Sequence, residues 1–225
     1  MNFPQIYSSE FFCWAPGVTT HDEWIEWKNG TCSIKCEKSS PKLEFADPLF
    51  KRRLSQITRM TIQVIHDLLE KIPEASECKQ VFVSFRGEIE REFSINENLI
   101  KDSEIMPAGF SLSVFNTPIA AATICLKLKA GYSVIYPSCS NNNQANAFAH
   151  AMKGVASPLL CGDEESVIFV YADEFVPEVY GELRSENSEP MAFACLLSRK
   201  KSVHCAKSID IDKIEDVKKF IRESI

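Results

Sequence analysis

Apolar residues along this chain follow two kinds of pattern. Leu54, Ile57, Thr61, Val64, Leu68 and Ile72 recur at steps of three and four, the mark of one buried helical stripe. With Asp47 as a cap and Pro48 at the first helical position, the spacing predicts a helix over 47–72. "NTPIAAATICLKLKAG" predicts a second helix, capped by Asn116 or Thr117 and ended by Gly131. Ala120, Ala121 and Ala122 would let a neighbouring element approach it closely. A third helix is expected over 143–153, and "DIDKIEDVKKFIRESI" reads as a further amphipathic helix.

The other pattern is the unbroken apolar run. "SVIFVYADE" and "MAFACLLS" are apolar throughout and flanked by polar residues, as expected of strands buried on both faces. "VFVSF" at 81–85 and Tyr132–Tyr136 are shorter strand candidates. "FFCWAPGVTTHDEWIEW" gives a strand-like run, a Pro-Gly turn and a short helix in which Thr20 and Glu23 form a capping box. Trp14, Trp24 and Trp27 read as packing anchors, with an interface role as the alternative. Helices alternate with buried strands, so the expected class is α/β with a mixed sheet, in a single domain over 1–225.

Composition narrows the function classes. Against 31 acidic residues stand 25 basic ones, and a net charge of -6 argues against a general nucleic-acid binder. No apolar run approaches the ~20 residues of a membrane helix. The start, "MNFPQIYSSEFF", lacks the basic and apolar regions of a secretory signal. Nine cysteines without a framework pattern fit a reducing cytoplasm better than a disulfide scaffold. Cys32 and Cys36 are spaced C-x3-C but lack a second pair or a nearby histidine, so no metal site is expected. Asn29-Gly30-Thr31 is a formal glycosylation sequon that reads equally as a turn.

"SVIYPSCSNNNQANAFAHAM" runs from a β-branched strand through Cys139 into a helix. A thiol at a helix N-terminus gains thiolate character, which makes Cys139 a candidate nucleophile. Acyl transfer through it needs a base within hydrogen-bond reach. Of the four histidines, His150 lies 11 residues on, roughly 16 Å along a continuous helix. His21 and His66 carry no signal placing them near the thiol, and His204, in "SVHCAK", is the one left as a possible partner. A small buried hydrophobe is the alternative reading of Cys139. Asn141, Asn142 and Asn143 can cap the helix or contact a ligand, and capping is the simpler role. Lys51, Arg52 and Arg53 sit near the start of the predicted 47–72 helix, where the dipole disfavours cations, a hint of an external anionic partner.

The ordered set "FKRRLSQITRMTIQVIHDLL", "QVFVSFRGE" and "MPAGFSLSVFNTPIAAATICLKLKAGYSVIYPSCS" resembles the N-terminal half of a β-ketoacyl synthase of the thiolase-like fold. "CWAPGVTTHDEWIEW" and "VIFVYADEFVPEVYGE" more closely resemble the short ketosynthase-like chain length factors of aryl polyene, type II polyketide pathways. The resemblance runs from about Phe12 to about Leu197. It implies a five-stranded mixed sheet covered by helices, with Cys139 close to the nucleophile position.

Active enzymes of that family follow the cysteine with small residues and a glycine, where this chain has Ser140 and three asparagines. Counted from the third helix, the nucleophile slot moves toward Pro137. The catalytic histidines and lysine belong to a C-terminal half that lies outside this sequence. The resemblance therefore implies a non-catalytic subunit that pairs with a full-length ketosynthase and shapes its acyl tunnel, without cofactor or metal. It makes the edge strand Tyr132, Ser133, Val134, Ile135 and Tyr136 the expected interface. Met106, Phe110 and Phe115 become the tunnel-lining candidates, and Lys51, Arg52 and Arg53 the docking candidates for an acidic acyl carrier protein. The competing reading is a free-standing acyltransferase using Cys139 with His204.

Overall fold

Alternate residues of the two longest strands face opposite cores. In β5 (Ser166–Asp173), Val167, Phe169 and Tyr171 join one hydrophobic cluster, while Ile168, Val170 and Ala172 join the other. The same split divides β6 (Met191–Ser198), which runs antiparallel to β5 over its whole length. A strand buried on both faces has no polar side, which is why these segments read as unbroken apolar runs. The computed structural model describes residues 5–103, 107–137, 144–183 and 189–225.

The sheet order is β4-β3-β5-β6-β1-β7, with β2 also on β6. Strands β3 (Lys79–Val83), β4 (Tyr132–Ile135) and β5 are mutually parallel. Strands β1 (Ile6–Ser8) and β2 (Phe12–Trp14) pair with successive stretches of β6, so together they fill one strand position. Strand β7 (Lys207–Ile209) adds the far edge. The expected five-stranded sheet is thus a seven-stranded one with a split strand and an added edge. Its class, mixed α/β with helices on both faces, is as expected.

One face is covered by α7 (Gln144–Leu160), α8 (Val217–Ser224) and α1 (His21–Lys28). The Thr20–Glu23 capping box forms, and Trp24 and Trp27 pack edge to face, both buried. The other face is covered by α3 (Gln56–Lys71) and α6 (Thr117–Leu126). Residues 31–46 form a strap between the faces: Ile34 enters the first core, Leu43 and Ala46 the second. Lys38 on this strap pairs with Glu90 and lies 5.9 Å over the ring of Phe175.

Several expected boundaries move. The predicted 47–72 helix is two: α2 (Pro48–Lys51), capped by Asp47, and α3, capped by Ser55. The break is held by tertiary bonds, since the Gln56 amide reaches the carbonyls of Glu37 and Ser39 and accepts from Phe175 N. Lys51, Arg52 and Arg53 therefore close α2 and lead into the turn after it, and the dipole mismatch disappears.

Helix α6 ends at Lys127, at φ 57°, and Gly131 falls in the turn before β4. Asn116 does not cap it with its side chain, because that amide donates to Tyr132 Oη at 3.0 Å. "SVHCAK" is largely a loop, with β7 starting at its last residue. Helix α4 (Ile89–Asp102) stands in a segment for which the sequence pattern predicts no element. A short α5 (Pro107–Phe110) completes the helices described.

Candidate functional site at the sheet's carboxyl end and free edge

Strands β4, β3 and β5 finish at the same end of the sheet, with Val83 level with Ile135 and Tyr171. Carboxyl ends of parallel strands are where α/β sheets place their sites. Here β5 ends in two consecutive buried carboxylates, Asp173 and Glu174. Asp173 accepts from Ser84 Oγ at 2.7 Å, Phe85 N at 3.1 Å, Arg86 N at 3.0 Å and Tyr171 Oη at 2.6 Å. Arg86 Nη1 lies 3.8 Å from Asp173 Oδ2. Burial, and then the Asp173 charge, push the Tyr171 phenol well above its ordinary pKa, so it stays a donor.

Glu174 accepts from Glu90 N at 3.0 Å and Ile57 N at 3.4 Å, tying the first turns of α4 and α3 to the end of β5. Beside it, Glu88 accepts from Ser55 Oγ and Thr58 Oγ1, each at 2.7 Å, and from Arg91 Nε at 3.1 Å. Burial, with the Glu88 charge second, raises the Glu174 carboxyl to about 8. These carboxylates are occupied in holding the 84–91 turn and the helix starts, a scaffolding role. The signal in the sequence was the pair "DE" directly ending an apolar strand.

The turn also needs Gly87. Its φ is +59°, and a Cβ there would meet the Phe115 ring at 2.7 Å. Phe115 in turn packs on Tyr136, ring centroids 4.5 Å apart. On the opposite face, a Cβ on Gly154 of α7 would meet Ile135 Cδ1 at 2.8 Å, so glycine lets α7 approach β4.

Among the described residues, strand β4 is a free edge. Gln80 N bonds Gly131 O and Ser84 N bonds Ile135 O, which turns the polar groups of residues 131, 133 and 135 toward β3. The backbone N–H and C=O groups of Tyr132, Val134 and Tyr136 therefore point outward. Tyr136 is 62% exposed, and Tyr132, Ser133, Val134 and Ile135 are half-buried.

Next to this edge, a groove of about 670 Å³ runs between α2 and α6, lined by Leu49, Phe50, Leu54, Val114 and Ile124 with Arg53. Leu49 and Ile124 are about two-thirds exposed. Arg52 and Arg53 are exposed and Lys51 half-buried, so the basic cluster borders an apolar groove. Phe110 is exposed on α5. Met106, Cys139 and Asn141–Asn143 lie outside the described residues.

Of the expected residues, the fold brings Phe115 to Tyr136, and Arg53 of the basic cluster to the groove beside α6. It does not bring His204 there. His204 lies 3.4 Å from Glu74, in the 3-10 turn just before β3 begins. That is the opposite end of the sheet from Pro137, where the chain leaves β4 toward Cys139. His66 stacks on Phe45, and His150 is exposed on α7.

Among the described residues, no group of three His, Cys, Asp or Glu could hold a metal ion. Nor is any described helix long and apolar enough to cross a membrane.

No curated protein matches the chain. Solved structures match its fold. A ketosynthase in complex with its chain length factor from Xenorhabdus doucetiae gives a TM-score of 0.68 at 22% identity, over 88% of this chain and 80% of that one. The ishigamide ketosynthase/chain length factor gives 0.60 at 10% identity, over 90% of this chain and 64% of that one. A type II polyketide synthase acyl-carrier protein in complex with its ketosynthase gives 0.57 at 12% identity, over 88% and 59%. This chain thus spans less than two thirds of the latter two. The model of the β-ketoacyl synthase N-terminal domain matches residues 24–222, and the chain belongs to that family.

Proposed function

We propose that this chain is a non-catalytic subunit of the chain length factor type, pairing with a full-length ketosynthase in an aryl polyene or related type II polyketide pathway. The observation that carries the reading is the free β4 edge. Its outward N–H and C=O groups at Tyr132, Val134 and Tyr136 can continue a partner's sheet. Phe115 and Tyr136, packed together beside that edge, would border the partner's acyl tunnel and limit the chain it holds. Met106 and Phe110 are the further candidates for that border. Arg52 and Arg53, with Lys51, would meet the acidic carrier protein that delivers the chain.

A non-catalytic role agrees with the distribution of bases. Condensation through a thiol needs groups that hold the enolate and move its proton. His204 is at the wrong end of the sheet, and the buried carboxylates at the right end are committed to backbone N–H groups and hydroxyls. The reading places the protein in the cytoplasm with its partner.

Co-expression with the cognate ketosynthase, read by light scattering after size exclusion, tests the pairing. A stable heterodimer is expected, and a persistently monomeric chain overturns the reading. Incubation with acyl-carrier protein and mass spectrometry tests the absence of catalysis. Stable acylation at Cys139, lost in Cys139→Ala, would establish an acyltransferase instead.

A further inference from the structure

Helix α4 is amphipathic, with Ile89, Phe93, Leu99 and Ile100 among its apolar residues, yet none of its residues is buried. Ile100 is 82% exposed. Phe93 meets Tyr180, ring centroids 5.8 Å apart, and Ile95 borders Gly109. Its polar anchorage is concentrated in the first turn. Glu90 N donates to Glu174, Arg91 Nε donates to Glu88, and Arg91 Nη2 donates to the Arg53 carbonyl at 3.0 Å. Lys38 of the strap pairs with the Glu90 side chain.

The anchor contains two fully buried carboxylates, Glu88 and Glu174, and one bonded cation, the guanidinium of Arg91, which reaches Glu88 alone. The groups packed round them do not correct the balance. Helix α3 supplies the hydroxyls of Ser55 and Thr58 and the N–H of Ile57, all neutral. Helix α4 adds Glu90, Arg91 and Glu92, and the strap adds Lys38, which is engaged with Glu90. From β5 comes Asp173, which faces Arg86. Glu92 feels the same surplus: burial and then Glu88 hold its carboxyl above the usual range. A second full negative charge in this desolvated pocket has no cation of its own, so a proton retained there lowers the energy of the docked state.

We propose that α4 is a proton-gated arm: with Glu174 protonated its first turn is held at the end of β5, and ionisation of Glu174 beside Glu88 loosens it from the sheet. Helix α4 answers to this charge more than its neighbours because it lacks buried side chains to hold it by packing. Helix α3, joined to the same carboxylates, has most of one face in the core and stays in place.

Backbone amide hydrogen exchange on the full chain, corrected for intrinsic rates, tests this at about pH 6.5 and about pH 9. Residues 93–101 report on α4, and residues 60–68 of α3 serve as the reference. In the wild type the protection of α4 should fall by about tenfold or more while α3 changes little. Glu174→Gln should keep α4 protected at both pH values. Glu88→Gln, which removes the repelling charge, should shrink the fall and gives the same reading where Glu174→Gln fails to fold. A wild-type α4 that loses no more protection than α3 overturns the proposal. So does a variant, Glu174→Gln or Glu88→Gln, that keeps the full wild-type fall.

Discussion

The ring of Phe115 lies 4.5 Å from that of Tyr136, centroid to centroid and tilted by 59°, and so joins the chain two residues before α6 to the residue just past β4. One pair thereby links the expected tunnel border to the expected interface. Phe115→Ala removes the ring against Gly87 as well as its contact with Tyr136. We expect the product chain made with the partner ketosynthase to lengthen, with about 1–3 kcal/mol lost from folding because Phe115 is only half-buried. Mass spectrometry of the polyene measures the first effect and urea unfolding the second. Unchanged chain length with intact pairing would leave a scaffold without tunnel contact.

Val134 separates pairing from folding. Its N–H points away from β3, so Val134→Pro removes no ladder bond within the chain. The same substitution takes a donor from the outer edge and puts a ring where a partner strand would lie. Heterodimer formation should drop by at least about tenfold, while the melting temperature changes by only a few degrees through lost side-chain packing. Ser133→Pro is the control: its N–H faces β3, and it should destabilise the fold itself by about 3 kcal/mol. Equal loss of pairing and folding in both variants would remove the edge strand as the interface.

Much of this architecture was legible in the sequence for a plain reason. The strands β5 and β6 and the core stripe of α3 are apolar because they are buried, and burial leaves its pattern locally. The Thr20–Glu23 capping box was readable because both partners lie within one turn. What escaped was decided at a distance. The break between α2 and α3 depends on Gln56 reaching Glu37, Ser39 and Phe175, and nothing near Arg52 announces it. Asn116 had the look of a cap but spends its amide on Tyr132. Helix α4 is amphipathic yet buries no side chain, so its apolar residues mark no core stripe. The carboxylates at the end of β5 were visible as acidic residues, but their role follows from the 84–91 turn folding back on them. For the same reason nothing in the local sequence shows that the antiparallel course of β6 puts His204 at the end of the sheet opposite Pro137.

Asp173 and Tyr171 offer a graded test of that turn. Asp173→Asn keeps the shape but loses the charge; with its amide oxygen kept toward Ser84, Phe85 and Arg86, its NH2 replaces the acceptor of Tyr171. A loss of about 3 kcal/mol is expected, since the donors it leaves behind are buried or half-buried. Tyr171→Phe deletes one donor and leaves Asp173 three others, so about 1 kcal/mol should be lost. Denaturant midpoints at constant slope measure both. The reverse order would mean that the Tyr171 hydroxyl, and not the turn, depends most on this network.

The raised Glu174 carboxyl sets the direction of the pH dependence. Its folded value of about 8 lies above the ordinary 4.5, so between those limits the folded chain holds a proton that the unfolded chain gives up. Stability from this group is fully present below about 4.5 and falls as pH rises, reaching its floor above about 8. This runs opposite to an ordinary ion-paired carboxylate, whose contribution is lost on acidification. Stability measured by urea unfolding from about pH 5 to about pH 9 should therefore slope downward in the wild type. Glu174→Gln, which cannot ionise, should flatten that slope and cross the wild-type curve near its upper end. A wild-type stability that rises over this interval, or a slope that survives in Glu174→Gln, would mean that Glu174 is held ionised and that Arg91 or Lys38 balances it after all.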